Sequence, residues 1–155
     1  MKTTGLITAI CLLFFLQFGC GQQAATENQH AIDSLKIRLE QLKPGLGEFM
    51  TEIKYHHDEL GKSISNKDFE RSAYEVDEIK EITDKVKQLR ITNDKLTRPF
   101  PEFYDAYLKA PLAALADAAA KKDEAALRIN FVSLTNNCNS CHQANNMRFM
   151  HIADQ

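Results

Sequence analysis

The sequence predicts an all-α fold, a four-helix bundle with an additional N-terminal helix. Apolar residues recur three and four apart along most of the chain, and no stretch alternates as a strand does. Breakers are few, 6 Gly and 4 Pro in 155 residues, and Pro44-Gly45 and the prolines at 99 and 101 fall where the periodicity lapses.

The first segment is unlike the rest. Lys2 is its only charge and Leu6 to Phe18 is almost wholly apolar, which with small residues at its end reads as a secretory signal peptide over residues 1–19. The run is shorter than the roughly 20 apolar residues of a membrane span. Leu16-Gln17-Phe18-Gly19-Cys20 resembles a bacterial lipobox, with Leu16 one position too far upstream. Cys20 is therefore the candidate lipidation site, and a diacylglyceryl group there would anchor the chain to a membrane. Ordinary cleavage near Ala24-Ala25 is the alternative, giving a free periplasmic protein. Loss of residues 1–19 removes one base and no acid, taking the formal charge from −2 to −3.

Residues 20–30 are small and polar and read as a tether, and a helical domain is expected over 31–155. Ile32, Leu35, Leu39 and Leu42 predict the N-terminal helix, stopped by Pro44-Gly45. Leu46, Phe49, Met50, Ile53, His57, Leu60 and Ile64 form the stripe of the next. Ser65-Asn66-Lys67-Asp68 resembles a capping box before Phe69, Ala73, Val76, Ile79, Val86 and Leu89. The charges of that helix, among them Glu75, Asp77, Glu78 and Glu81, read as its solvated face. Residues 90–101 form the longest connection. Pro111 suits the first turn of a helix through Leu112, Leu115 and Ala119, and Asp123 caps a last helix through Leu127, Phe131, Leu134 and Cys138.

Composition narrows the function. With 19 basic residues against 21 acidic ones and no basic cluster, nucleic acid is not an expected partner. No Ser/His/Asp, Cys/His or paired-carboxylate arrangement stands out, so an enzyme is not expected. The chemistry lies in Cys138-Asn139-Ser140-Cys141-His142, the C-x-x-C-H spacing of c-type haem attachment. Cysteines three apart share one helix face, so both sulfurs reach one haem edge, and His142 follows where its imidazole can ligate iron. The pattern would arise by chance in roughly three of a thousand such sequences. A zinc site would need further Cys or His ligands, a thioredoxin-like pair a βαβ setting, and a plain disulfide would leave His142 idle. One covalent haem c on Cys138 and Cys141 is expected, with His142 on the iron.

A C-x-x-C-H on the last helix of a bundle resembles the cytochrome c-prime and class II cytochrome c family. The likeness covers about residues 44–152 and rests on Gly47-Glu48-Phe49-Met50, His57, Ala73-Tyr74-Glu75-Val76-Asp77-Glu78-Ile79, Ala110-Pro111-Leu112 and Cys138 to Ala144. Cytochromes c-prime often follow the motif with an acid, an aromatic and a base, whereas Gln143-Ala144-Asn145-Asn146 stands here. The resemblance implies a distal iron ligand from the first bundle helix in low-spin members, which makes Met50 the candidate. Met50 filling the core is the bland reading. His57 is the alternative ligand, two turns and about 10 Å along the helix from Met50. Met147, Met150 and His151 are expected to cover the haem edge.

These residues imply an exported monohaem cytochrome performing one-electron transfer with redox proteins of the periplasm, in the bacterial cell envelope. The alternative is a five-coordinate cytochrome c-prime-like protein binding NO or CO. A partner subunit with a structural haem is a third reading, and the resemblance admits a homodimer.

Overall fold

A computed structural model describes the backbone of residues 19–153 except 92, and side chains from residue 28 onward. The apolar leader through residue 18 lies outside the described residues, and Cys20 is described as backbone only. The described elements are helical, with no strand among them. No helix among the described residues is long and apolar enough to cross a membrane.

The chain divides into two compact units at Lys43 and Pro44. The first contains helix α1, Gly19–Leu42. Residues 20–30, read from the sequence as a tether, are thus part of this helix. Their Ala, Gln and Glu are strong helix formers, which polar composition alone does not reveal. The expected start of the helical domain at residue 31 likewise falls inside α1. Leu35, Leu39 and Leu42 of the predicted stripe of α1 are all exposed.

The second unit is the four-helix bundle. Helix α2 spans Leu46–Ser65 and α3 spans Phe69–Gln88. A third helical rod is built from α4 (Phe100–Phe103), a π turn (Tyr104–Leu108) and α5 (Lys109–Ala120), and α6 is Glu124–Ala144. Packing runs α2 on α3, α3 on α5, α5 on α6 and α6 on α2, which closes the ring. Leu60, Val76, Ile79, Leu112, Leu115, Leu127 and Leu134 fill its centre.

Two tight links make neighbouring helices antiparallel, and both use the same device. Lys67 and Lys122 turn into the left-handed region, at φ 58° and 54°. Asp68 and Asp123 then cap the next helix, accepting at 3.0 Å from the backbone N–H of Arg71 and Ala126. The cap expected at Asp123 is present, whereas in place of the Ser65–Asp68 box Ser65 ends α2 and Asp68 alone is the cap of α3.

The rod differs from expectation. Its helix begins at Phe100, ten residues before the predicted turn, and Pro111 lies inside it. Proline cannot donate to the carbonyl four residues back and its ring crowds that group. The π turn falls just upstream of Pro111, and the carbonyl of Tyr107 instead accepts from Asn137 Nδ2 of α6 at 2.9 Å. A second correction concerns Glu75, read as solvated. It is fully buried between α2 and α3, where His56 Nδ1 meets its carboxylate at 2.6 Å and Arg71 Nε pairs with it. His56 is therefore an inter-helix partner and not a solvated side chain.

Gly61 of α2 lies under the Phe131 ring of α6. A Cβ at this position would stand 2.9 Å from the ring's ζ carbon. Gly61→Ala gains up to about 1 kcal/mol of helix propensity, but overpacking a buried ring costs about 1–3 kcal/mol. A net loss of about 1 kcal/mol is expected in urea unfolding. A stabilised variant would show that the α2–α6 contact is looser than described.

Candidate functional site

Cys138, Cys141 and His142 lie in the last two turns of α6. The apolar half of that helix, through Leu127, Phe131 and Leu134, is buried, and Cys138 continues the same seam against the core. Both cysteines are free thiols and both are half-buried. Burial pushes the Cys138 thiol up to about 12, and the neighbouring Cys141 adds to the shift. Burial also raises Cys141, while Asn145 and Arg98 partly oppose it. Both sulfurs are therefore protonated at neutral pH.

His142 is held through one nitrogen. Its Nδ1 lies 3.0 Å from the backbone carbonyl of Met150. A carbonyl only accepts, so Nδ1 carries the proton and the neutral ring keeps its free lone pair on Nε2. This is the tautomer that a metal-ligating histidine needs, with the other ring nitrogen fixed by a hydrogen bond. Met150 enters the site through its backbone. Its side chain and that of His151 are exposed, and Met147 is half-buried.

Polar residues that sequence reasoning passed over tie this end of α6 to its surroundings. Asn145 Nδ2 donates to the Cys141 carbonyl at 2.9 Å. Its Oδ1 accepts from the Thr97 backbone N–H at 2.8 Å, which pins the long α3–α4 connection to the motif. Asn137, one residue before Cys138, holds the Tyr107 carbonyl described above. One signal was available. Asn130, Asn136, Asn137 and Asn139 crowd one helix although Asn is a poor helix former, and two of them, Asn137 and Asn139, bond to other elements.

His57 and Met50 are well separated along α2. The His57 ring is buried and stacks on Phe131, with centroids 4.6 Å apart and planes at 28°. Its Nε2 lies 2.8 Å from Thr135 Oγ1, whose own hydroxyl is 3.1 Å from the Phe131 carbonyl. The hydroxyl donates to that carbonyl and accepts from the imidazole. His57 Nε2 is thereby committed to α6. Gly61 faces Phe131 and His57 faces Thr135, a step of four in opposite directions along the two helices. Met50 lies seven residues before His57 in α2 and is half-buried against the core.

Among the described residues no three His, Cys, Asp or Glu side chains converge as a metal-binding set. Cys138, Cys141 and His142 thus do not form such a set among themselves. No family model, curated protein or solved structure matches the chain.

Burial holds the His57 pKa below 6.5, and the nearby Asp58 carboxylate only partly opposes this. The unfolded chain takes up that proton below about pH 6.5 while the folded chain does not, so stability should fall as pH drops through this range. His57→Gln keeps a donor for Thr135 and removes the titration. Urea midpoints measured between about pH 7 and pH 5 should fall more steeply for the wild type than for the variant. Equal slopes would show that His57 titrates normally.

Proposed function

We propose that the chain is an exported monohaem c-type cytochrome that transfers single electrons in the bacterial envelope, and that it belongs with the class II cytochromes it resembles. One covalent haem c is assigned to Cys138 and Cys141, with His142 on the iron. When bound, haem supplies a one-electron Fe(III)/Fe(II) couple. The observation that carries this reading is the His142 tautomer: the bond from Nδ1–H to the Met150 carbonyl leaves Nε2 free, on the same helix end as two unpaired thiols. C-x-x-C-H supplies the residue types, and the end of α6 holds both free thiols and the oriented imidazole.

Met50 is the proposed opposing ligand. Its support is its half-buried place against the core on the stripe of α2, whereas the Nε2 of His57 is occupied by Thr135. A thioether favours Fe(II) and raises the potential, which suits an electron carrier. Phe49, Met50, Ile53 and Leu134 would exclude water from the iron. Lipidation at Cys20, attachment to a membrane in the periplasm, and exchange of electrons with periplasmic redox proteins complete the proposal.

Chain matured with a working cytochrome c assembly system should retain haem stain on a denaturing gel. His142→Ala should abolish any normal c-type spectrum. Oxidised wild type should be low-spin, and Met50→Ala should become high-spin and bind CO at least tenfold more tightly. A wild type that is already high-spin and binds CO or NO would replace the electron carrier by the five-coordinate, gas-binding alternative. A wild type with no stain would end the haem reading altogether.

A further inference from the structure

Asn139 occupies the first variable position of the motif, where attachment chemistry asks for nothing in particular. In this chain it is nearly fully buried. Its Nδ2 donates to the Ile152 carbonyl at 2.8 Å, and its Oδ1 accepts from the Ile152 backbone N–H at 2.8 Å. The side-chain amide thus pairs with a backbone residue as a neighbouring strand would, satisfying both polar groups of Ile152.

Two residues before Ile152 is Met150, whose carbonyl holds His142 Nδ1. Between α6 and this point the chain reverses through Asn146, at φ 59°, with Met147 N–H on the His142 carbonyl at 2.8 Å and Met150 N–H on the Met147 carbonyl at 2.9 Å. Residues 145–152 therefore form a strap folded back over the helix end. It is tied at its start by Asn145 and at its finish by Asn139. Phe149 is 83% exposed, so apolar packing of that side chain does not hold the strap down. The polar ties do.

Resting on the haem assignment for its role, though not for its geometry, we propose that Asn139 is a positioning residue. By clamping Ile152 it fixes the Met150 carbonyl, and the carbonyl sets the tautomer and ring orientation of His142. The hydrogen bond makes the imidazole a stronger donor to iron and so favours Fe(III). Asn139 would then act on the midpoint potential without touching either the iron or the sulfurs. The position allows this because its neighbours in the helix, Cys138 and Ser140, point elsewhere: Cys138 into the core and Ser140 onto the Asn136 carbonyl.

The test uses the full chain in both forms. In the haem-free chain at mildly alkaline pH, nitrogen-15 NMR of the ring should find His142 mainly protonated on Nδ1. The Ile152 amide should exchange slowly. Asn139→Ala should shift His142 toward the Nε2–H tautomer and speed exchange at Ile152 at least tenfold, with helix content and melting temperature nearly unchanged. Asn139→Asp retains an acceptor for the Ile152 N–H but no donor for its carbonyl, and should fall between. In the haem-loaded protein Asn139→Ala should raise the midpoint potential while leaving the stain intact. A chain ending at Phe149 removes the carbonyl outright and should raise it at least as far. Unchanged tautomer and exchange in Asn139→Ala would overturn the clamp, as would an unchanged potential in both variants. Absence of haem from the wild type would instead strike the cytochrome reading, and the tautomer and exchange measurements would still decide the clamp.

Discussion

The contact of Phe131 with α2 is the constraint on which the site geometry depends. Its ring fills the space left by the missing side chain of Gly61 and stacks on His57, so one aromatic residue fixes both the spacing and the register of α2 against α6. Side chains in a close-packed interior cannot slide by fractions of a turn without opening voids. The register set at Phe131 is shared by the next pair along the seam, His57 and Thr135. The His57–Thr135 bond adds direction to a contact that apolar packing alone would leave less specific.

The C-terminal end of α6 is organised by hydrogen bonds. Asparagine weakens a helix, and two of those in α6, Asn137 and Asn139, recover that cost through tertiary partners. Asn137 satisfies the Tyr107 carbonyl that Pro111 cannot serve, and Asn145 and Asn139 hold the chain segments on either side of the motif. An amide side chain presents a donor and an acceptor together, so each can replace a backbone partner. The π turn belongs to the same arrangement. A proline within the rod displaces the backbone ladder, and the displaced carbonyl becomes an attachment point for the helix that carries the cysteines.

Much of this was legible in the chain. Three-and-four spacing of apolar residues determined the helices of the bundle, because a helix that buries one face must repeat near 3.6 residues. Asp68 and Asp123 announced two helix starts, since their carboxylates accept from backbone N–H groups that have no partner within the helix. Cys138, Cys141 and His142 were marked by spacing alone, which places them together on any helix. What spacing could not decide was whatever depends on a distant residue. Glu75 reads as a surface charge until His56 and Arg71 are brought to it across the α2–α3 contact. His57 and Met50 share one stripe, and only the packing against α6 commits the imidazole to Thr135. The free nitrogen of His142 is the clearest case, because it depends on a carbonyl eight residues on, held there by an asparagine behind it in the chain. Local periodicity follows from each residue's own neighbours in sequence, whereas these pairings exist only once the helices have packed and the strap has folded back.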